Sequence, residues 1–424
     1  MMKVLMYGWE FPPYISGGLG VACQAMVAEL EKKGIDITLV LPMEVKIHNG
    51  ADCNLSIIGC ASKEILNTTT IRRTPFTTYL NPYFSGFSSS IMSSAKDLVV
   101  SRLDFIKRNA TKINLTGKYG MNLLWEVFYY AAIAGKLAQE IEHDVIHAHD
   151  WLTILAGVEA KKYSHKPLIF HIHALETDRG GLLVNNDIFA IEKYGMEQAD
   201  QVVAVSEYTK KCIVNNYHID PNKIAIVHNG TYADKSVARP KVAQEKNVKN
   251  VLFVGRLTNQ KGPNFFIEAA KKVVAFRQDV KFILVGTGDL MRDLIEKVAT
   301  LGIGQYVHFA GFLAPGMVDA VYGAADLYIM PSVSEPFGLT CLEALSRDVP
   351  VIISKQSGAS EVLHHVLKVD FWDVNEMTNK ILAVFNYPPL VRTMLTNAKR
   401  ELTNLTWDKT ADAIIQLYAA CCGK

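Results

Sequence analysis

The chain lacks the cysteine spacing and the long apolar runs that mark several classes of protein. Its cysteines are odd in number, scattered and never spaced as C-x-x-C, so neither a disulfide framework nor a zinc site is indicated. They stand at positions 23, 53, 60, 212, 341, 421 and 422. The longest apolar stretch, residues 127–135, is far shorter than the ~20 residues of a membrane-spanning helix. The start holds only a brief apolar run at residues 4–7, too short for a signal-peptide core, and we expect a cytoplasmic protein.

An excess of either charge is also missing, since 44 Lys and Arg residues face 42 Asp and Glu residues. No global field therefore favours nucleic acid or an anionic membrane, and any anion site must be local. The chain has no D-x-D pair to hold a divalent cation, so we expect chemistry that needs no metal. The composition, 49% apolar and 20% charged residues, is typical of a globular protein. The length of 424 residues is enough for two or three domains.

Short β-branched apolar runs alternate with polar turns and helical periodicity through the first half of the chain. Between the first two runs, residues 21–33 have apolar positions at helical spacing and end at Gly34, which suits a helix C-cap. The alternation predicts a parallel sheet covered by helices. Its predicted strands are residues 3–7, 36–41, 145–147, 168–172, 201–205 and 224–227.

A second series of the same kind follows a polar, basic stretch at residues 234–249, which contains Pro240 and is the best linker candidate. The fold class is therefore α/β, with two doubly wound, Rossmann-like domains that each bind ligands at the carboxyl ends of their strands. The strands predicted for the second domain are residues 250–254, 281–285, 307–310, 327–330 and 349–353.

Residues 61–118 fit neither pattern, being rich in Ser, Thr and Asn with several aromatic residues at 79–87. Two interpretations stand equally. The segment is either a surface insertion with a small core of its own or a part of the chain that lines an acceptor site.

A glycine-rich loop follows the first predicted strand and contains the pair Gly17 and Gly18 directly before a helix. Paired glycines at a helix N-terminus let backbone N–H groups approach an anion closely, and the helix dipole favours the negative charge. On this loop alone, a tight strand-to-helix turn is an equally good interpretation.

A basic loop opens the second domain, where Arg256 and Lys261 follow a strand and are flanked by Gly255 and Gly262. Two cations at the binding edge of an open sheet suit a diphosphate. A merely solvated basic loop explains this placement less well.

A G-x-G turn begins at Gly286, after the next strand of the second domain. The third glycine of a dinucleotide-binding fingerprint would fall at Met291 and is missing, which disfavours a Rossmann dehydrogenase. The turn can still contribute contacts to a nucleotide.

The most informative segment spans residues 331–345. Pro336 is suited to a first helical position, which predicts free N–H groups at Gly338 and Leu339. Glu335 would then precede the helix, and Glu343 would lie about two turns inside it. Two such carboxylates accept hydrogen bonds from pairs of hydroxyls while the helix start binds phosphate, which is the chemistry of a sugar nucleotide. A structural alternative, with Glu335 as a cap and Glu343 exposed, fits the whole segment poorly.

Histidines cluster at two predicted strand ends of the first domain, in His-Ala-His-Asp-Trp at residues 147–151 and His-Ile-His-Ala-Leu-Glu at residues 171–176. A lone histidine at such an edge usually serves packing or hydrogen bonding. Clusters at two successive edges favour a function instead, and the candidates are His173, Asp150 and Glu176.

Taken together and in order, these motifs resemble the GT-B glycosyltransferases of the glycogen and starch synthase type, and the neighbouring large retaining family that includes sucrose and mannosyl transferases. The similarity covers nearly the whole chain, with further matches in Ser-Gly-Gly-Leu at 16–19 and His-Asn-Gly at 228–230. It implies a retaining enzyme whose domains, residues 1–233 and 250–405, face a central cleft. It also implies that a last helix, residues 406–424, crosses back onto the first domain.

The resemblance implies roles for the residues that would hold the nucleotide. Arg256 and Lys261 would hold the donor diphosphate, and Gly17 and Gly18 would approach it from the first domain. Glu343 would bind the ribose.

The resemblance further implies how sugar and acceptor would be held. Glu335 would bind donor sugar hydroxyls, and the backbone near Gly338 and Leu339 would meet the phosphate and the sugar. His173 would contact the donor sugar near its reacting carbon, and Asp150 would lie close to the acceptor.

Two positions depart from the ADP-glucose synthases: Ile15 stands where they usually have lysine, and Ala174 where they usually have asparagine. The missing cation leaves UDP-glucose or another donor open. The implied reaction moves a hexose, glucose from UDP- or ADP-glucose, to a hydroxyl of an α-glucan or oligosaccharide without cofactor or metal. Alternatives are synthesis of a cell-surface polysaccharide or lipid-linked glycan, a nucleotide-sugar epimerase, and a non-catalytic sugar-nucleotide-binding subunit.

Overall fold

A parallel sheet of seven strands organises the first half of the computed structural model, which describes residues 1–13, 17–43, 55–60, 95–109, 115–117, 119–120, 122–181, 184–232, 248–313 and 315–423. The strand order is β3-β2-β1-β4-β5-β6-β7, so the winding reverses between β1 and β4. The strands are β1 (Lys3–Tyr7), β2 (Asp36–Leu41), β3 (Leu55–Gly59), β4 (Val145–His149), β5 (Leu168–Ile172), β6 (Gln201–Ala204) and β7 (Ile224–Ile226).

A second parallel sheet of six strands has the order β10-β9-β8-β11-β12-β13, and its winding reverses between β8 and β11. Both sheets are thus doubly wound, as expected for two Rossmann-like domains. The strands are β8 (Lys249–Val254), β9 (Val280–Val285), β10 (Val307–Gly311), β11 (Leu327–Met330), β12 (Val351–Ser354) and β13 (Leu367–Val369).

Helices cover both faces of each sheet. The first domain contains α1 (Gly18–Lys32), α2 (Ala95–Asn109), α3 (Leu123–Ala134), α4 (Asp150–Ser164), α5 (Glu176–Gly180), α6 (Asn186–Gln198) and α7 (Glu207–Cys212). The second contains α8 (Pro263–Phe276), α9 (Met291–Thr300), α10 (Pro315–Ala324), α11 (Leu339–Ser346), α12 (Ala359–Val362), α13 (Val374–Asn386) and α14 (Pro388–Leu402), and α15 (Trp407–Cys422) ends the chain. Among the described helices, none has both the length and the apolar character needed to cross a bilayer.

Alternate residues of the central strands enter two different cores. Leu5 and Tyr7 of β1 pack into the cluster beneath α3, α4 and α6, whereas Val4 and Met6 pack on the opposite face. Burial on both faces is the reason that these strands read as nearly continuous apolar runs.

The last helix, α15, belongs spatially to the first domain. It packs against α1, and its Ile414 and Tyr418 complete the core around Val4 and Met6. The Tyr418 hydroxyl hydrogen-bonds Nδ1 of His147 at 2.6 Å. The final helix therefore closes one face of the first sheet.

The predicted α/β architecture is confirmed, and the strands at residues 3–7, 36–41, 168–172 and 327–330 match residue for residue. The other predicted strands are correct within two residues. Two short edge strands, β3 and β13, were not predicted.

Two predicted segments lie largely outside the described residues. The proposed linker is undescribed from 234 to 247, and Lys249 is the first residue of β8. Of residues 61–118, the structure describes only helix α2, residues 95–109, and residues 115–117. Most of the segment predicted to be a surface insertion or part of an acceptor site therefore lies outside the described residues.

Candidate active site

The sequence-predicted residues gather at the two points where strand order reverses. Asp150 directly follows β4 and Gly17 lies in the loop after β1, the pair of strands flanking the first reversal. Lys261 follows β8 and Glu335 follows β11, the pair flanking the second reversal. Such a reversal opens a crevice at the carboxyl ends of the strands, which is where open α/β sheets bind ligands.

Direct hydrogen bonds join the two crevices. Ser334, next to Glu335, donates to Oδ1 of Asp178 in the first domain at 2.5 Å and hydrogen-bonds the Tyr208 hydroxyl at 2.9 Å. Ser206 of the first domain donates to the carbonyl oxygen of Pro336 at 2.6 Å. The loop after β11 therefore faces the first domain across a shared cleft.

Lys261 and Glu335 form an ion pair in this cleft. The Lys261 ammonium lies 2.6 Å from Oε2 of Glu335, and Ser332 Oγ donates to the same oxygen at 3.0 Å. The Lys261 side chain is 25% exposed and that of Glu335 is 8% exposed. Among the described residues, none hydrogen-bonds Oε1 of Glu335, which leaves one carboxylate oxygen for a ligand hydroxyl.

Backbone contacts hold the basic loop against the loop after β11. Gly262 has φ +67, and a Cβ there would lie 2.1 Å from the carbonyl oxygen of Pro331. Val333 N donates to the carbonyl oxygen of Gln260 at 2.8 Å. Only glycine permits this approach, which brings Lys261 to Glu335.

Arg256 is exposed at the end of β8, and its guanidinium makes no hydrogen bond or ion pair with any described residue. A free cation beside the Lys261–Glu335 pair suits a phosphate. The Gly286 turn packs beneath this loop, because a Cβ at Gly286 would lie 2.0 Å from the carbonyl oxygen of Gly255. Gly286 thus supports the loop of Arg256.

The helix after Glu335 starts later than predicted. Leu339 is the first residue of α11, and Gly338 is its N-cap with φ +108, so the prediction that Pro336 is the first helical residue is wrong. The reason is that Glu335 pairs with Ser357 after β12 and the carbonyl oxygen of Phe337 accepts from the Ala359 amide, which holds residues 335–337 outside the helix. The amides of Leu339 and Thr340 have no partner among the described residues, and they lie at the N-terminal end of the helix, where helices can bind anions.

Glu343 lies half-buried inside α11, as predicted. The hydroxyl of Tyr322 donates to its Oε2 at 3.1 Å, and burial raises the pKa of the Glu343 carboxyl above its ordinary value. Arg347 stacks over the Tyr322 ring at 5.2 Å. Tyr322 is a supporting residue that no pattern in the sequence indicated, because it belongs to another helix.

Asp150 anchors the loop that carries His173. Asp150 has φ +57 at the start of α4, and its carboxylate accepts from the amides of His173 at 2.7 Å and Ala174 at 3.3 Å. A ring nitrogen of His173 hydrogen-bonds Nδ1 of His149 at 3.0 Å. Burial lowers the pKa of His173, with the Asp150 charge opposing the shift, so the imidazole is neutral near pH 7.

Gly17 and Gly18 are exposed, and a Cβ at either would meet no atom of a described residue within 4 Å. Gly17 is also extended, with φ −168. Neither crowding by a described residue nor backbone strain therefore requires glycine here. Within the described part of the chain, the space above the start of α1 is unfilled.

Glu10 is a site residue that the sequence analysis missed. It is buried, and its carboxylate accepts from the Gly17 amide at 3.3 Å and from the Tyr119 hydroxyl. It is the single charged residue of the loop at 8–20, which is the signal that would have found it. Burial raises the pKa of the Tyr119 hydroxyl, and the negative charges of Glu10 and Asp150 raise it further. Both carboxylates therefore lie near Tyr119, on the same side of the cleft.

Glu176, the third candidate of the histidine clusters, belongs to a buried supporting network. Its carboxylate accepts from the Asn185 amide at 3.0 Å, and its own amide donates to both oxygens of Glu192 at 2.9 and 3.0 Å. Arg179 donates to Glu192 at 3.2 Å. Glu176 therefore holds the α5 loop in place.

Comparison with known proteins assigns the chain to a family. Residues 107–235 match the family described as Glycosyltransferase Family 4, and residues 234–401 match the family described as Glycosyl transferases group 1. With its two facing doubly wound domains, the chain is a glycosyltransferase of the GT-B fold.

Individual relatives agree with this assignment. An uncharacterised glycosyltransferase of Methanocaldococcus jannaschii is 26% identical over 98% of both chains. The D-inositol 3-phosphate glycosyltransferase of Rhodococcus jostii is 29% identical over 68% of this chain and 70% of its own length. The glycogen synthase of Mycobacterium tuberculosis is 23% identical over 99% and 95% of the two chains.

Solved structures show the same fold. Sucrose-phosphate synthase from Thermosynechococcus elongatus has a TM-score of 0.72 at 18% identity and covers 99% of both chains. Anabaena HepE in complex with UDP-glucose has a TM-score of 0.67 at 16% identity, covering 99% of this chain and 100% of that one.

Proposed function

We propose that the protein transfers a hexose, glucose in the simplest case, from a nucleoside diphosphate sugar to the hydroxyl of a glycan acceptor, with retention of anomeric configuration. The observation that carries this proposal is the Lys261–Glu335 ion pair, which joins a phosphate-binding cation to a hydroxyl-binding carboxylate in the cleft. The complex of HepE with UDP-glucose supports a nucleotide-sugar donor for this fold.

The second domain supplies positive charge for the leaving diphosphate. In the transition state, negative charge grows on the phosphate while the sugar becomes oxocarbenium-like. The ammonium of Lys261 and the free amides at Leu339 and Thr340 are held in place before reaction and stabilise that charge, and the exposed guanidinium of Arg256 adds a second cation. These groups replace the divalent cation that other transferases use, so we infer that turnover needs no metal.

The ion pair with Glu335 leaves Lys261 able to bind phosphate. An ammonium has three N–H donors, and one is directed at Oε2 of Glu335. The other two can reach phosphate oxygens while Oε1 of Glu335 accepts from a sugar hydroxyl. One ion pair thereby fixes the distance between the sugar and phosphate subsites.

The first domain positions the donor sugar and the acceptor. Asp150 and His149 orient the neutral imidazole of His173 through the bonds at 2.7 and 3.0 Å. A neutral imidazole contacts a sugar hydroxyl without repelling the developing positive charge of the ring. Glu10 and Asp150 then provide carboxylates on the acceptor side of the cleft.

A donor and acceptor panel tests the proposal. Purified protein is incubated with UDP- and ADP-glucose and other nucleotide sugars, each with glycogen, oligosaccharide or a phosphorylated polyol, and nucleotide release is measured. The polyol arm is included because D-inositol 3-phosphate glycosyltransferases are among the relatives. Acceptor-dependent release that survives EDTA supports the proposal. Donor binding without turnover for any acceptor would instead indicate a non-catalytic binding subunit.

A further inference from the structure

Four histidine rings stack on one face of the first sheet, beneath the candidate active site. His147 and His149 alternate along β4, His171 and His173 alternate at the end of β5, and His149 lies opposite His171. Alternation along a strand puts such side chains on the same face. Ring centroids are 4.3 Å apart within each pair, and 5.3 Å separates His149 from His173.

These rings carry buried nitrogens that lack partners. Of the eleven buried side-chain nitrogen and oxygen atoms that have no hydrogen bond within the described part of the chain, five belong to this cluster. Buried polar groups in native proteins nearly always have a partner. Such a concentration of lone imidazole nitrogens is unusual in a core built for packing, although the two nitrogens that face each other, Nδ1 of His149 and Nε2 of His173, are not among them.

Cys23 on α1 completes a donor set with two of these histidines. Ligand atoms of Cys23, His149 and His173 all lie within 4.8 Å of one another. The nitrogens of His149 and His173 are already 3.0 Å apart. Two nitrogens at about 2.0–2.1 Å from a tetrahedral zinc ion lie about 3.3 Å apart, so a metal fits with a small movement.

We propose that Cys23, His149 and His173 bind a single transition-metal ion of the zinc type. One thiolate and two neutral imidazoles select zinc over the oxygen-seeking magnesium and calcium ions. On binding, the Cys23 thiol releases its proton, and His149 and His173 keep their protons on the nitrogens that do not face the metal. Because His173 is only half-buried, the fourth coordination position and the entry path lie on the cleft side.

Occupancy of this site inhibits transfer. A metal bound to His173 takes the imidazole away from the donor sugar and places a cation where an oxocarbenium-like ring develops. This consequence rests on the function proposed above, whereas metal binding itself does not. The site is therefore inhibitory and separate from the metal-independent chemistry of the second domain.

A cobalt titration tests the site directly. The full chain, free of affinity tags and treated with EDTA, is titrated with Co²⁺ and followed by absorption. We expect one Co²⁺ per chain with a thiolate-to-cobalt charge-transfer band, displacement by Zn²⁺, and no competition by Mg²⁺. Cys23→Ala should abolish the band, whereas Cys60→Ala, which changes a fully buried cysteine after β3, should keep it.

A variant at the half-buried position covers the case in which Cys23→Ala fails to fold. His173→Ala should weaken Co²⁺ binding by more than the roughly 10–100-fold that follows loss of an outer-sphere partner. Absence of saturable binding would overturn the proposal. So would a spectrum without the thiolate band that persists in Cys23→Ala, because it would assign the metal to His147, His149 and His171, whose ligand atoms also lie within 4.8 Å of one another.

Activity separates this proposal from the proposed function. Zn²⁺ should inhibit acceptor-dependent nucleotide release in proportion to occupancy, and EDTA should reverse it. Stoichiometric cobalt binding without inhibition would overturn the role proposed for His173. Normal transfer without any metal binding would overturn the metal site alone.

Discussion

Individual side chains in the cleft are held by partners from other segments. Lys261 meets Glu335 from a loop 74 positions away, and Tyr322 holds Glu343 from a neighbouring helix. Substitutions at these residues should therefore change binding or turnover without unfolding the domain.

Lys261→Ala should lower kcat by about 10²- to 10³-fold, because one preorganised cation is lost from the leaving phosphate. The measurement is nucleotide release at saturating donor. Lys271→Ala is the matched control, since Lys271 is an exposed lysine of α8 that only caps the Leu301 carbonyl. Near-normal turnover of Lys261→Ala would reject the assigned role.

Glu343 should make donor binding sensitive to acid. The role expected for Glu343, accepting hydrogen bonds from ribose hydroxyls, needs the carboxylate form, and burial raises its pKa, so protonation begins at a higher pH than for an exposed glutamate. As pH falls through that pKa, apparent donor affinity should drop by about tenfold per pH unit. The donor KM of the wild type should therefore rise as the pH falls through this range. The same measurement on Glu343→Gln should show no such rise.

Sequence could predict which residues take part at this scale, but not how each is held. Arg256, Lys261, Glu335 and Glu343 were predicted from charge and spacing after strands. Tyr322 was not, because an aromatic residue in an amphipathic helix gives no signal of the carboxylate it contacts in another helix. The three proposed metal ligands were hidden for the same reason, since they come from three separate segments and have no C-x-x-C spacing.

Helix starts and strand ends define the site at the scale of elements. The glycines near these positions divide into two kinds. Gly262 is required by the protein itself, because a side chain there would collide with the Pro331 carbonyl. Gly18 has no described residue within 4 Å of the position that its Cβ would take, so the fold as described does not require glycine there.

Gly18→Ala should keep or raise the melting temperature, because alanine is favoured over glycine inside a helix, and should raise the donor KM. Gly262→Ala should do the opposite to the fold, costing at least about 1–3 kcal/mol of stability because of its strained φ. Thermal unfolding and donor kinetics on both variants check the contrast. Unchanged donor kinetics in Gly18→Ala would show that the first loop is a strand-to-helix turn without a role in donor binding.

Strands were easier to predict than helix starts. Central strands such as β1 and β5 are buried on both faces, so their apolar runs are unbroken. The edge strand β13 has three residues and little such signal. The start of α11 was placed at Pro336 from local preference, but pairing of Glu335 with Ser357 holds that stretch outside the helix. A contact between distant segments outweighed the local preference.

At the scale of the whole molecule, Ser334 joins the domains by bonding both Asp178 and Tyr208. Ser334→Ala should reduce the free energy that holds the two domains together by at most about 1.5–3 kcal/mol, the range for a hydrogen bond to a charged group. A less closed cleft admits water, so donor hydrolysis should rise relative to transfer. Product analysis with and without acceptor measures that ratio. Ser360→Ala, which removes a bond internal to the second domain, should leave it unchanged.

The order of segments along the chain has a consequence for folding during synthesis. Strand β7 ends at residue 226, but the helix that covers Val4 and Met6 finishes only at residue 422. At about 5–20 residues per second, a ribosome needs roughly 10 to 40 s to supply those last segments. During that interval the nascent first domain leaves part of an apolar sheet face uncovered, which is a surface that chaperones recognise.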